Sequence, residues 1–197
     1  MARIQGTIPQ QNFELVRDRI GEIITDELES QVLFYNPDLD ATVYVERTDP
    51  IDKTELPIVI ISLANGNYDN KDVKSTDGTY TYNVDVFTRA KTSADQEGDQ
   101  RSMFSLHRLL GVIRYILDNP IYKTLGFANP MISRVAVSSI NIAEPGKQDA
   151  ASVMMGRLAV TVRVPETVNL LPASLLAGYE TSVKLSLTDK GYVFTKL

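Results

Sequence analysis

The chain has 197 residues, of which 43% are hydrophobic and 23% are charged, and its formal net charge is −5. The absence of cysteine excludes disulfides, thiolate nucleophiles and cysteine-ligated zinc, and an acidic balance without a basic cluster argues against nucleic-acid binding. No apolar run approaches the ~18 to 20 residues of a membrane-spanning helix, and the first residues lack the apolar core of a secretory signal. We therefore expect a globular protein that stays in the cytoplasm where it is made.

The first predicted element is an amphipathic helix at about residues 10–30. A capping-box pattern with proline in the first turn indicates a start near Thr7. Apolar residues then recur at helical spacing, with charged residues on much of the other side. The apolar positions are Phe13, Val16, Ile20, Ile23, Ile24 and Leu28. Two short strands are predicted next, at residues 32–35 and 42–46.

A buried strand and an alternating strand are predicted to form a long hairpin. Residues 56–63 are a near-continuous apolar run, which is typical of a central strand covered on both faces. Residues 64–77 are rich in Asn, Asp, Gly and Lys and predict a polar loop. The strand at 79–90 follows. Its side chains predicted to face the core are those of Tyr80, Tyr82, Val84 and Val86.

A second amphipathic helix is predicted at residues 94–118, with a capping-box pattern at residues 93–96. Its broad apolar stripe must cover a sheet face. The stripe consists of Met103, Leu106, Leu109, Leu110, Val112, Ile113, Ile116 and Leu117. Two β-rich segments, 131–143 and 153–164, flank a polar loop at 144–151 and predict a second hairpin.

The tail carries two short β segments, at residues 181–187 and 192–197, which predict a hairpin arm. We therefore predict an α+β fold: a mostly antiparallel sheet packed by two amphipathic helices, with long hairpins and a C-terminal β-hairpin arm. The αβ domain is assigned to residues 1–165 and the arm to residues 166–197. A two-stranded hairpin is marginal in water by itself, so we expect the arm to pack on the main domain or, preferably, on a neighbouring subunit.

No pattern in the sequence predicts a catalytic, cofactor-binding or metal site. His107 is the single histidine, and no partner for it is evident, so we interpret it as structural. Asp38 and Asp40 are interpreted as solvated turn residues rather than an acid/base pair. Three acids of the polar loop lack the alternating spacing of a calcium loop and are also interpreted as solvated. They are Asp69, Asp72 and Asp77.

The order of these elements resembles the tail terminator proteins of long-tailed bacteriophages. The resemblance covers about residues 7–165, and its main features are the strand at 80–90 running into the helix at 96–118 and the hairpin at 131–164. It implies a nonenzymatic virion protein that forms a ring, usually hexameric, on the end of the tail tube. Such a ring stops tube growth and provides the docking surface for the neck. The implied partners are further copies of the chain, the tail tube protein and neck or connector proteins. The arm at 166–197 goes beyond the family pattern and leaves a contact with the sheath open.

The predicted interface residues lie in the two polar hairpin tips and in the arm, because extended hairpins with mixed polar surfaces suit docking between subunits. They are Asn67, Tyr68, Asp72, Lys74, Gln148, Asp149, Val183, Leu185 and Leu187. Two alternatives stay open. One is another neck, head–tail adaptor or tail-tube component, which would use a different surface. The other is a small cytoplasmic enzyme whose site is assembled from Asp, Arg and Tyr residues distant in sequence.

Overall fold

A computed structural model describes residues 7–49, 51, 54–70, 75–89, 98–127, 131–143, 153–167, 179–183 and 192–196. The chain falls into two compact units. The larger unit comprises residues 10–168, and the smaller unit comprises residues 1–9 together with residues 169–197. The described helices and a five-stranded sheet lie in the larger unit, and a two-stranded hairpin lies in the smaller one.

The larger unit combines two long helices with the five-stranded sheet. Its elements are α1 (Asn12–Phe34), β1 (Thr42–Val45), β2 (Ile58–Asn70), β3 (Ser75–Arg89), α2 (Gly98–Asp118), β4 (Arg134–Ala143) and β5 (Val153–Thr167). The strand order is β1-β2-β3-β5-β4, in which β1 pairs with β2 in parallel and the other pairs are antiparallel. The predicted α+β fold with a mostly antiparallel sheet is confirmed.

Both helices cover the same face of the sheet. The β3 side chains on this face are all buried, as predicted; they are Tyr80, Tyr82, Val84 and Val86. The hydroxyl of Tyr82 donates a hydrogen bond to the carbonyl oxygen of Phe13 in α1 (2.8 Å). At Gly156 of β5, α2 approaches so closely that an added Cβ would lie 2.5 Å from Leu110 Cδ1. The core therefore lies between one sheet face and one helical layer.

The start of α1 differs from the prediction. The helix begins at Asn12, because Gln11 is the residue that caps it. The backbone N–H of Gln11 donates to Glu14 Oε2 (2.8 Å), which is one half of a capping box. The predicted cap at Thr7 therefore lies before the helix, although the type of signal was the expected one.

The end of α1 also differs, because the helix continues to Phe34. The predicted strand at residues 32–35 is therefore wrong. Val32 lies one turn after the buried Leu28 and also packs against the core, so the apolar stripe of the helix continues through residues that favour strands. The next strand, β1, falls within its predicted range of 42–46.

The predicted loop at residues 64–77 is mostly strand. β2 and β3 remain paired as far as Asn70 and Thr76, with a register shift between Leu63 and Asn65. Residues 64–69 are polar because they are exposed to solvent, although the hydrogen-bonded pairing of β2 with β3 continues through them. On its other side β3 pairs with β5 along its whole length, so at this end the sheet consists of β2, β3 and β5.

The remaining elements agree with the predicted order. α2 is described from Gly98, and its predicted cap at 93–96 lies outside the described residues. β4 and β5 form the second predicted hairpin, whose loop at 144–151 also lies outside them. β5 runs past its predicted end at residue 164 and stops at Thr167.

The smaller unit contains the predicted hairpin of the arm. Strands β6 (Tyr179–Val183) and β7 (Tyr192–Lys196) are antiparallel, with Tyr179 opposite Lys196. β6 begins two residues before the predicted start. The domain boundary between residues 165 and 166 stays a prediction. Within the described part of the chain, neither long helix is apolar enough to span a bilayer.

Candidate assembly surfaces

A buried tyrosine cluster joins the start of α1 to the centre of β3 and the end of β5. The hydroxyl of Tyr80 donates to Glu166 Oε1, and Asn12 Nδ2 donates to Glu166 Oε2 (2.6 Å). Tyr82 adds its bond to the carbonyl oxygen of Phe13. Each of these polar atoms already has a partner inside the domain. The cluster therefore anchors the start of α1 to the sheet.

Burial raises the pKa of both Tyr80 and Tyr82 above the ordinary value, and the hydrogen bond to Glu166 raises the pKa of Tyr80 further. A phenol whose pKa is raised by folding stabilises the fold fully below its unfolded pKa of about 10, and this stability is lost as the pH rises above that value. We predict that Tyr80 and Tyr82 ionise only when the domain unfolds.

An alkaline titration followed by phenolate absorbance and circular dichroism measures whether tyrosine ionisation and unfolding occur together. The double variant Tyr80→Phe, Tyr82→Phe should lose the fraction of tyrosine that ionises with unfolding. Ionisation of all tyrosines at about pH 11 in a protein that keeps its native spectrum would contradict the prediction.

Two predicted interface residues, Asn67 and Tyr68, lie near the end of β2. Tyr68 is 57% exposed, and its ring meets that of Tyr80 edge-on, with 5.8 Å between the centroids. Because Asn67 and Tyr68 are consecutive on a strand, their side chains point to opposite faces, so they do not form one surface. The other two predicted residues of this tip, Asp72 and Lys74, lie outside the described residues.

The remaining predicted interface residues are in the second tip and the arm. Gln148, Asp149, Leu185 and Leu187 lie outside the described residues. Val183 is the last residue of β6, where it pairs with Tyr192 of β7. Their place in an interface stays a prediction.

The sheet face opposite the helices carries two ion pairs between β3 and β5. Asp85 and Arg157 lie directly opposite each other and form a two-pronged pair, with N–O distances of 2.6 and 2.7 Å. The hydrogen bond to Asp85 raises the pKa of Arg157. Arg163 Nη2 donates to Asp77 Oδ2 (2.8 Å). Both arginines are thus neutralised by carboxylates, so they do not provide a phosphate-binding surface.

A groove between the two helices was missed by the sequence analysis. It has a volume of about 400 Å³, and Glu27 and Gln31 of α1 line it together with residues of α2. Five large apolar side chains on its rim and at the end of α1 are 68–76% exposed. They are Leu33, Phe34, Tyr35, Tyr115 and Ile121. Because residues 32–35 were assigned to a strand, Leu33 and Phe34 were not predicted as exposed residues at the end of α1.

Of the described titratable residues singled out from the sequence, Asp69 and Asp77 lie opposite each other, on β2 and β3. His107 is exposed on α2, and Asp38 and Asp40 are exposed in and just after a 3-10 turn. Asp69 is exposed on β2, whereas Asp77 binds Arg163. Across the described residues, no three His, Cys, Asp or Glu side chains form a group that could hold a metal ion.

No protein-family model matches the chain, and no curated protein matches it. Among solved structures, it is similar to a chain described as "Virion of native gene transfer agent (GTA) particle". The TM-score is 0.45 at 11% sequence identity, over 73% of this chain and 92% of that chain. This degree of likeness does not define a shared fold, so it carries no argument about the function of this protein.

Proposed function

We propose that this chain is a structural virion protein that forms a ring of six copies at the head-proximal end of a phage tail. There it ends growth of the tail tube and provides the docking surface for the neck. The observation that carries the proposal is the set of large apolar side chains exposed at the C-terminal end of α1 and beside α2. Subunits of an assembly bury exposed apolar side chains against their neighbours.

The edge of the sheet supports an assembly role. β4 (Arg134–Ala143) is an edge strand that pairs with β5 alone among the described strands. It has ten residues without proline or lysine, and its Ile140 and Ile142 are 46% and 42% exposed. A register shift between Val137 and Ser139 interrupts the pairing of β4, but residues 139–143 beyond it are exposed and pair without a break, and an exposed edge of this kind can pair with another chain. A neighbouring subunit in a ring would cover this edge.

The bonding of the polar clusters also suits a structural role. The hydroxyl of Tyr80 is bound to Glu166, and Arg157 is bound to Asp85. These side chains are of the types that the enzyme alternative invokes, and here they bind one another within the domain. The main features of the resemblance to tail terminators, β3 followed by α2 and then the β4–β5 hairpin, occur in that order in the fold.

Replacing the two hairpin tips tests the proposed role. Two-residue Asn-Gly turns would stand in place of residues 71–74 and 144–152. Solvated tips contribute little to a core, so the purified variant should melt at the wild-type temperature. Particles made with it should show tails of abnormal length and heads without tails. Normal tails joined to heads would contradict the proposal, and normal tail length with unattached heads would favour the neck adaptor alternative.

A further inference from the structure

The groove between α1 and α2 has one polar and one mixed wall. Glu27 and Gln31 lie one turn apart on α1, and Arg108, Gly111 and Tyr115 line the groove from α2. The three α2 residues share one face of the helix, because their spacing is three and then four residues. Arg108 and Tyr115 are about 10 Å apart along the helix axis, at the usual rise of about 1.5 Å per residue.

Gly111 has no steric reason inside the domain to be glycine. An added Cβ at this position would meet no atom within 4 Å, and its backbone is ordinary helix. Glycine in a helix interior costs about 1 kcal/mol relative to alanine. A glycine there is explained if another chain comes close to the helix backbone at this point, where any side chain would be in the way.

Arg108 is an exposed cation without an ion-pair partner among the described carboxylates. The other charge in the groove, Glu27, accepts a hydrogen bond from the hydroxyl of Tyr122. The groove therefore offers a cation at one end, open space at Gly111 in the middle, and the exposed ring of Tyr115 at the other end. Its complement is an extended segment with alternating apolar side chains followed by a carboxylate.

The sequence contains such a segment in the arm. Val183, Leu185 and Leu187 alternate with polar residues, and Asp189 continues the same alternation. In an extended strand Leu185 and Asp189 are about 13 Å apart, which is close to the distance from Tyr115 to Arg108. The other long segments outside the described residues lack this pattern. Residues 90–97 and 144–152 contain no large apolar side chain, and residues 168–178 contain no acid.

We propose that the groove of one subunit receives residues 185–189 of the arm of a neighbouring copy. Asp189 binds Arg108, Leu187 lies over Gly111, and Leu185 packs against the ring of Tyr115. The inference rests on the proposed ring and adds the identity of the arm's binding site. It also explains how Leu185 and Leu187 are buried, because a two-stranded hairpin by itself has too little surface to cover them.

Charge reversal in the full-length chain tests the pairing. Arg108→Glu and Asp189→Arg should each raise the protein concentration at which the assembly half dissociates by at least about tenfold. The double variant should return it to near the wild-type value. Gly111→Leu should fill the groove and weaken assembly to a similar extent while the domain stays folded, because leucine favours helix and a Cβ at this position meets no atom within 4 Å. Arg101→Glu, an equal charge change at another exposed position of α2, should have no effect.

Mixing the two single variants identifies the source of the arm. If the arm comes from a neighbour, an equimolar mixture assembles better than either variant, because the Asp189→Arg arm then meets the Arg108→Glu groove. Equal assembly of the mixture and the single variants would show that the arm binds its own domain, which overturns the proposal. If Arg108→Glu and Gly111→Leu both assemble like the wild type, the proposed binding site of the arm is wrong and the proposed ring is unaffected. A wild-type chain that stays monomeric would contradict the proposed ring itself.

Discussion

Removal of residues 169–197 is expected to leave a folded domain that assembles at least about tenfold more weakly than the full chain. The described helices and the five-stranded sheet lie within residues 10–168, and β5 is complete at Thr167, so the truncated chain keeps its core. The arm has two strands of five residues each, and such a hairpin gains its order from a larger surface. Thermal melting followed by circular dichroism reports the fold, and sedimentation velocity reports the assembly.

A second truncation, after Pro165, is the matched control. It also removes Glu166, which accepts hydrogen bonds from Asn12 and Tyr80. Leaving a buried donor without its acceptor costs about 1–3 kcal/mol, so the chain ending at Pro165 should be clearly less stable than the chain ending at Val168. Equal stability of the two would contradict the anchoring role of Glu166. Unfolding or precipitation of the chain that ends at Val168, even as a monomer, would show that the arm belongs to the domain core.

Truncation of the α2 side chains that face the sheet is expected to destabilise the domain strongly. Leu110 and Ile113 are buried in the core, and Leu110 lies directly over Gly156 of β5. Leu110→Ala and Ile113→Ala should each lower the free energy of unfolding by about 2–5 kcal/mol, because each leaves a cavity as well as losing apolar burial. Urea denaturation measures the difference.

The exposed His107 on the same helix provides the control for this series. His107→Ala should change the free energy of unfolding by no more than about 0.5 kcal/mol. Wild-type-like unfolding of both core variants would show that this face of α2 is not packed on the sheet.

The sequence predicted the sheet and the helical layer where a single periodicity dominates. Tyr80 and Tyr82 were assigned to the core from the alternation of β3 alone, and both are buried. The α2 stripe that includes Leu110 was found from its helical spacing. In these segments the buried face is a local property of the chain, so local spacing is enough to find it.

The failures have a common physical cause, which is that tertiary contacts decide where elements end. Residues 32–35 have a strand-like composition but continue α1, because Val32 extends its apolar stripe. Residues 64–70 look like a loop but pair with β3. The role of Glu166 depends on Asn12 and Tyr80, which are far from it in sequence. No spacing rule could bring these residues together before the fold was known.

The groove between the helices illustrates the same limit. Its walls come from α1 and α2, and it exists only where their relative placement leaves Gly111 open. The exposed Tyr115 and the run from Leu33 to Tyr35 were visible in the sequence, yet each by itself is an unremarkable surface residue. Tyr115 gains its significance for assembly from its position in the groove.

The most direct test of the ring is the mass of the full-length chain in solution, measured by native mass spectrometry over a range of protein concentrations. A closed ring predicts one discrete species at six times the chain mass that does not grow larger as the concentration increases. A chain that stays monomeric at the highest concentration, or that forms an open series of growing oligomers, would contradict it.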